Sequence, residues 1–183
     1  MSLKKTVVLV GMMGSGKTAV GKAIAAELQV LFKDSDQEIS IAANRSIAEI
    51  FERDGEPFFR SVEAKVLKRL LQGQPCVLST GGGAFMFGNN RTLISKLGIS
   101  VFLNADLELL WERVRSKNTR PLLKTADPKA TLSRIFEGRK DQYALADLTV
   151  QTQPNYSIAQ TAEHVIAALR AQPGVFSPSG EKS

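Results

Sequence analysis

The sequence predicts an α/β fold in which a parallel β-sheet lies between layers of helices. Short, largely apolar runs occur at residues 6–10, 30–32, 76–78 and 99–103, which is typical of strands buried on both faces, and a further strand is expected near residues 147–151. A glycine-rich turn follows the first run, and segments with helical periodicity separate the others. Strands that alternate with helices indicate parallel pairing with right-handed crossovers. We therefore expect a three-layer α/β/α domain with a five-stranded parallel sheet.

Helices are predicted wherever apolar residues recur at intervals of three and four. The first is expected at about residues 19–28. The stretch from about residue 38 to residue 72 is also helical in pattern, with interruptions near residues 44–45 and 55–57. Three more helices are expected at about residues 106–115, 129–142 and 157–171.

A single domain is expected for residues 1–172, because 183 residues suffice for one hydrophobic core. Residues 116–127 are polar and contain Pro121, so they are expected to form a mobile lid loop. The alternative for this loop is a solvated linker. The final segment, residues 173–183, is rich in proline, glycine and serine and is expected to be disordered.

The composition is that of an ordinary globular protein. Hydrophobic residues make up 43% and charged residues 23%, and the net charge of +6 comes without a run of lysine and arginine, so no nucleic-acid partner is expected. A basic surface attracts polyanions such as ATP. The single cysteine, Cys76, has apolar neighbours that predict a buried position. Since neither a signal peptide nor a membrane-length apolar stretch is recognisable, a cytoplasmic monomer without a membrane partner is expected.

Residues 11–18 match the phosphate-binding pattern G-x-x-x-x-G-K-[ST] between a predicted strand and a predicted helix, which is the setting of a P-loop. Glycines let the backbone aim successive N–H groups into one concavity, and the following helix adds its positive dipole end. Lys17 is expected to reach the β- and γ-phosphates, and the Thr18 hydroxyl to bind Mg²⁺. The candidate ATP-binding residues of this segment are Gly14, Ser15, Gly16, Lys17, Thr18 and Ala19.

A P-loop alone does not distinguish kinases from motor ATPases and GTPase switches. The sequence contains no Asn-Lys-x-Asp motif for guanine recognition, and 183 residues are few for a motor. Both observations favour a kinase.

Two acidic residues follow the second apolar run. Asp34 and Asp36 are two positions apart, and in an extended segment that spacing points both carboxylates the same way. Ligands of parallel α/β sheets bind beyond the carboxyl ends of the strands, so these acids are expected to face the P-loop. One is suited to Mg²⁺ and the other to accepting a proton from an attacking hydroxyl group. The alternative is a solvated loop or a helix cap.

Further motifs resemble the shikimate kinase family in their order and spacing over about residues 5–170. The P-loop is shared widely, but the combination of D-x-D, F-R-x-x-E, G-G-G and R-P-L is specific to that family. The matching segments are Asp34-Ser35-Asp36, Ser46 to Phe51, Gly55-Glu56, Phe59-Arg60, Glu63, Ser79 to Gly83, Arg120 to Leu123, and Arg139 with Tyr143 and Ala146-Asp147.

The resemblance implies transfer of the ATP γ-phosphoryl group to the 3-hydroxyl group of shikimate, with Mg²⁺, in the chorismate pathway of aromatic amino acid biosynthesis. It places Thr18 and Asp34 beside the magnesium ion. It makes Asp36 the group that contacts the ring hydroxyls and assists removal of the 3-hydroxyl proton. The implied catalytic residues are Lys17, Asp36 and Arg120.

The resemblance also implies how the shikimate carboxylate is bound. Arg60 and Arg139 are implied to grip it, and an arginine fork matches the two oxygens of a carboxylate. The alternative for Arg60 is a surface salt bridge with Glu63, three residues later on a helix. A run of glycines after a buried strand lets a ligand approach closely, whereas the alternative is a plain turn. The implied backbone lining comes from Gly81, Gly82 and Gly83.

Two arginines are assigned to the nucleotide by the resemblance. Arg120 is implied to swing over the transferring phosphoryl group, and a basic lid suits phosphoryl transfer because it adds positive charge and excludes water. Arg113 matches a family position near the adenine. One departure concerns residues 151–155, Gln-Thr-Gln-Pro-Asn, where a basic residue is expected in the adenine loop.

Two other functions are compatible with parts of the pattern. A gluconate-type sugar-acid kinase shares the P-loop and the lid, but is not expected to carry the D-x-D, F-R-x-x-E and G-G-G motifs together. A nucleotide-binding regulatory module without an acceptor substrate would leave the acidic pair and the arginines without a role.

Overall fold

The structure is a computed structural model that describes residues 2–116 and 121–177. Its strands form one parallel sheet in the order β2-β3-β1-β4-β5. These strands are β1 (Thr6–Val10), β2 (Phe32–Asp34), β3 (Val77–Ser79), β4 (Gly98–Asn104) and β5 (Leu148–Gln151). The predicted five-stranded parallel sheet is therefore confirmed.

The helices of the described residues are α1 (Lys17–Glu27), α2 (Ser35–Ala43), α3 (Ile47–Arg53), α4 (Gly55–Leu71), α5 (Gly88–Leu97), α6 (Leu107–Val114), α7 (Pro128–Tyr143) and α8 (Ile158–Arg170). Two short 3-10 helices occur at Ala84–Met86 and Pro121–Leu123. The predicted interruption near residues 44–45 separates α2 from α3, and the one near residues 55–57 coincides with the start of α4. No helix within the described ranges is long and apolar enough to cross a membrane.

Each face of the sheet is covered by its own apolar core, which confirms the three layers. Strand β1 is buried along its whole length, and the side chains of successive residues point to opposite faces of the sheet. Val8 and Val10 belong to the core beneath helices α2 to α7, whereas Val7 and Leu9 pack with helices α1 and α8. The carboxyl ends of all five strands consequently meet at one edge of the sheet, where ligands of such folds bind.

Helix α5 was not predicted from the sequence. It begins with Gly88, Asn89 and Asn90, which are residues typical of turns. The side chain of Asn90 is buried and its amide donates a hydrogen bond to the Ala84 carbonyl at 3.0 Å, so a tertiary contact stabilises this start. Ile94 then fills the core from the same helix.

The expectation of disorder after residue 172 is wrong for residues 173–177. Val175 is only 1% exposed and packs in the core that contains α1 and α8. The Lys4 N–H donates to the Val175 carbonyl at 2.8 Å, and the Ser177 N–H donates to the Ser2 carbonyl at 2.9 Å. This short segment therefore pairs with the chain just before β1. Residues 178–183 lie outside the described residues.

Candidate active site

The P-loop connects β1 to α1 in the predicted manner. Gly14 and Gly16 have φ angles of 84° and 96°, which are left-handed values that glycine adopts without strain. Gly16 precedes α1 and offers no side-chain cap, so the N–H groups of the first turn are left for an anion. The Lys17 ammonium group donates to the carbonyls of Gly11 at 2.8 Å and Met12 at 2.9 Å, which places its charge at the concave side of the loop.

A cavity of about 440 Å³ opens at this edge of the sheet, a size that is typical of small-molecule sites. It is lined by residues 13–20 and 79–82, by Asp34, Asp36 and Arg113, and by Thr152, Tyr156, Ile158 and Thr161. All six P-loop residues that the sequence assigned to ATP lie on this lining. The cavity therefore joins the phosphate-binding loop to the acidic pair.

One buried hydroxyl group in the loop lacks a hydrogen-bond partner. The Ser15 side chain is almost fully buried, and its Oγ makes no hydrogen bond within the described residues. A buried polar group without a partner is energetically costly.

The structure corrects the expectation that Asp34 and Asp36 share an extended segment. Asp34 ends β2 and is the N-cap of α2, where its Oδ1 accepts hydrogen bonds from the N–H groups of Asp36 at 3.0 Å and Gln37 at 3.5 Å. Asp36 lies in the first turn of that helix. The helix-cap alternative is therefore right for Asp34. Both residues nevertheless line the cavity, because the strand ends and the helix begins at its rim.

Three consecutive glycines bring the predicted substrate-binding side chains together. A Cβ atom at Gly81 would lie 2.7 Å from Asp36 Oδ1, and one at Gly82 would lie 3.3 Å from Arg139 Nη1. Such an atom at Gly83 would lie 2.8 Å from Arg60 Nη2. Each glycine thus faces a different polar side chain, so this segment is more than a plain turn. Arg60 and Arg139 are not part of the cavity lining, but Arg139 lies beside Gly82, which is, and Arg60 lies beside the next residue, Gly83.

The resemblance to shikimate kinases predicts that alanine at Gly83 raises the shikimate KM about tenfold while the ATP KM stays within twofold. The new methyl group would displace the Arg60 guanidinium from the glycine segment, and a carboxylate contact of this kind is worth about 1.5–3 kcal/mol. A coupled assay of ADP release measures both constants.

Gly138→Ala is the matched control, because a Cβ atom at Gly138 in α7 meets nothing within 4 Å. It removes a helical glycine and should leave both KM values unchanged while slightly stabilising the fold. An unchanged shikimate KM in Gly83→Ala would contradict the predicted role of this segment.

Arg60 is held by two carboxylates of its own helix, α4. Its Nη1 donates to both carboxylate oxygens of Glu63 at 3.0 and 3.2 Å, and its Nη2 donates to Glu56 Oε1 at 3.0 Å. Glu63 is only 2% exposed, so the alternative of a surface salt bridge is wrong for this pair. Burial raises the pKa of the Glu63 carboxyl, and the charge of Arg60 opposes that shift. Glu63 is thus a buried anchor for the arginine, whereas the sequence predicts at most an exposed ion pair between the two residues.

The raised pKa of Glu63 predicts a specific pH dependence of stability. Between its ordinary pKa of 4.5 and the raised value, the folded protein binds more protons at this site than the unfolded chain does. The stability contribution of Glu63 therefore falls as pH rises through that interval. Glu63→Gln lacks this contribution, so its melting temperature should improve relative to wild type as pH increases from about 4 to 7. Paired thermal unfolding measurements test this, and a difference that does not change with pH would refute it.

Tyr143, at the end of α7, connects Arg139 to the glycine segment. Its buried hydroxyl donates to the Gly82 carbonyl at 2.5 Å, and its ring stacks on Phe102 of β4 with the centroids 5.3 Å apart. Burial raises the pKa of Tyr143, and the charge of Arg139 together with a hydrogen bond to it opposes that shift. In the sequence, Tyr143 is only one member of a motif, with no role of its own. Its spacing of four residues from Arg139 was the signal that both lie on one helix face.

The nucleotide end of the cavity contains one predicted arginine and several residues that were not predicted. Arg113 of α6 is half-buried, its Nη1 donates to the Gly14 carbonyl at 3.2 Å, and burial lowers its pKa. Beyond it lie Thr152, Tyr156 and Ile158, at the place where a basic residue was missing from the sequence. The Tyr156 ring packs on the ring of His164, 4.9 Å away. Arg120 and the rest of residues 117–120 lie outside the described residues.

Comparisons with known proteins point to one family. The family model for shikimate kinase matches residues 13–170. A shikimate kinase from Ruegeria pomeroyi is 59% identical over 175 residues, which cover 96% of this chain and 90% of that protein. A shikimate kinase from Cereibacter sphaeroides is 60% identical over 174 residues, with 95% and 87% covered.

Solved structures show the same fold. Shikimate kinase from Acinetobacter baumannii in complex with shikimate is 36% identical, with a TM-score of 0.83 and coverage of 91% of this chain and 93% of that one. A gluconokinase from Sinorhizobium meliloti is 18% identical, with a TM-score of 0.65 and coverage of 93% and 94%. The second likeness, at this low identity, concerns the fold alone.

Proposed function

The chain belongs to the shikimate kinase family, and we infer that it transfers the γ-phosphoryl group of ATP to the 3-hydroxyl group of shikimate. The products are shikimate 3-phosphate and ADP. The single observation that carries this function is the glycine segment at residues 81–83, which gathers Asp36, Arg139 and Arg60 beside a P-loop cavity. That arrangement suits a small hydroxylated carboxylic acid next to a nucleotide.

The P-loop supplies the nucleotide half of the site. The N–H groups at the start of α1 and the Lys17 ammonium group face the β- and γ-phosphates. Arg113 borders the same loop. At the far end of the cavity, the Tyr156 ring and the Ile158 side chain offer apolar surface for the adenine.

The substrate half of the site combines charge with a proton acceptor. The guanidinium groups of Arg60 and Arg139 bind the shikimate carboxylate, and the ring lies along the glycines. The 3-hydroxyl oxygen attacks the γ-phosphorus while the bond from phosphorus to the bridging oxygen of ADP breaks. The hydroxyl proton passes to the Asp36 carboxylate. Alignment and charge neutralisation supply most of the acceleration, so no covalent enzyme intermediate is required.

The residues beside the P-loop fit a magnesium ion. Mg²⁺ keeps several waters and is usually bound through one or two carboxylates together with substrate phosphates. No cluster of three or more acidic, histidine or cysteine ligands occurs among the described residues. Asp34 and Thr18 both line the cavity and would hold the ion. When bound, Mg²⁺ neutralises charge on the phosphates.

Arg120 belongs to this proposal from the sequence alone. We place it over the transferring phosphoryl group, where its charge would stabilise the equatorial oxygens and its loop would exclude water. Its expected signature is an effect on kcat greater than on either KM.

A coupled assay of ADP formation with shikimate or gluconate tests the function. Release of ADP should depend on shikimate, and gluconate should give no turnover above background. Turnover of gluconate alone would make the chain a sugar-acid kinase instead. A regulatory module would bind the nucleotide, but calorimetric titration with shikimate in the presence of a non-hydrolysable ATP analogue would show no heat of binding.

A further inference from the structure

An exposed aromatic side chain lies against the Arg60 guanidinium. Phe87 connects the 3-10 helix Ala84–Met86 to α5, and it is 42% exposed. Its ring centroid is 4.8 Å from the Cζ of Arg60. A second ring, that of the buried Phe59, lies 4.9 Å from the same atom. Both distances are within the range of cation–π interactions.

The hydrogen bonds of Arg60 fix the orientation of its guanidinium group relative to the glycines. Glu56 accepts from Nε at 3.2 Å and from Nη2 at 3.0 Å, whereas Glu63 accepts from Nη1. Nη1 and Nη2 both approach Gly83, where a Cβ atom would lie 3.1 and 2.8 Å from them. The fork of Nη1 and Nη2 therefore borders the place assigned to the substrate carboxylate.

The two carboxylates do not fix this fork equally. Glu63 is buried, but the Glu56 side chain is 60% exposed, and an exposed ion pair contributes little. An aromatic ring stacked on the guanidinium adds an attraction and limits the rotamers of a long side chain. Phe87 belongs to neither of the two apolar cores of the described residues, so its ring serves this contact rather than core packing.

We propose that Phe87 is a positioning residue for substrate binding, whose ring holds the Arg60 fork in line with the shikimate carboxylate. This inference rests on the proposed function. The residue acts through Arg60 and touches neither the reacting hydroxyl nor the phosphates. Its removal consequently affects shikimate affinity rather than the chemical step.

The test compares an aliphatic with an aromatic replacement. Phe87→Leu keeps an apolar side chain but lacks a π face, and it should raise both the shikimate KM and its dissociation constant about two- to fivefold. Phe87→Tyr keeps the face and should stay within about 1.5-fold of wild type. The value of kcat and the ATP KM should change less than twofold in both variants. Steady-state kinetics and calorimetric titration with shikimate provide these numbers.

Ile41→Ala is the control for loss of an exposed apolar side chain, since Ile41 is 65% exposed and outside both cores. It should leave the shikimate constants unchanged. In an Arg60→Ala background, Phe87→Leu should have no further effect, because the ring acts through the arginine.

Three results would overturn the inference: a Phe87→Leu variant like wild type, a Phe87→Tyr variant as impaired as the leucine variant, or additive effects with Arg60→Ala. If Arg60→Ala itself left shikimate binding intact, the carboxylate site of the proposed function would fail as well. If Arg60→Ala weakened shikimate binding and Phe87→Leu did not, only the role of Phe87 would be refuted. The two failures are therefore distinguishable.

Discussion

Lys17→Ala is expected to lower kcat by about 100- to 1,000-fold, the loss typical of removing one preorganised positive group from a site of charge development. The Lys17 ammonium group is held at the P-loop by the carbonyls of Gly11 and Met12. A bound triphosphate would replace those weak acceptors with charged oxygens. The group then neutralises the negative charge that shifts toward the bridging oxygen during transfer. Single-turnover and steady-state measurements at saturating ATP and shikimate give the change in kcat.

Lys22→Ala is the matched control for this prediction. Lys22 lies on the same helix, α1, is exposed, and contacts the Phe32 ring rather than the loop. Its removal lowers the net charge by the same amount and should leave kcat within twofold. A Lys17→Ala enzyme with more than a tenth of wild-type turnover would show that backbone N–H groups alone stabilise the transferring group.

Most of the fold could be predicted because its signals are local. Strand β1 is a short run in which four of five residues are β-branched, and the P-loop pattern follows it directly, so the centre of the sheet and its first crossover needed no tertiary information. Helix α5 could not be predicted, since its first turn consists of the turn-forming residues Gly88, Asn89 and Asn90, and the hydrogen bond of Asn90 to the Ala84 carbonyl leaves no trace in the apolar periodicity. The order at Val175 likewise comes from pairing with the other end of the chain, which no local pattern encodes.

In the candidate site, too, some residues are identified by local sequence patterns and others only by contacts in the folded chain. The spacing of residues in the sequence is enough to identify Lys17 and the acidic pair. The extended conformation predicted for the segment from Asp34 to Asp36 is wrong, because Asp34 caps α2 and the strand ends there. The roles of Tyr143 and Phe87 depend on contacts with residues far from them in the sequence, so the sequence alone gave them no function. Single motifs thus indicated which chemistry to expect, whereas the contacts decide how it is positioned.

Asp36→Asn is expected to reduce kcat by about 100- to 10,000-fold, the usual contribution of a positioned general base. Asp36 lies in the first turn of α2, and its Oδ1 is close enough to the glycine segment that a Cβ atom at Gly81 would be 2.7 Å away. A hydroxyl group of a ring bound along that segment would therefore be within its reach. Asparagine has nearly the same shape and still forms hydrogen bonds, but it does not accept the proton. Shikimate affinity should consequently change much less than kcat.

Asp141→Asn removes an equal charge from the exposed surface of α7 and should leave kcat unchanged. The comparison separates proton transfer from a general effect of net charge. If Asp36→Asn retained kcat within fivefold but bound shikimate at least tenfold more weakly, Asp36 would be a ligand of the ring hydroxyls only. The proton would then leave the 3-hydroxyl group without help from a protein base, which a loose transition state for phosphoryl transfer permits.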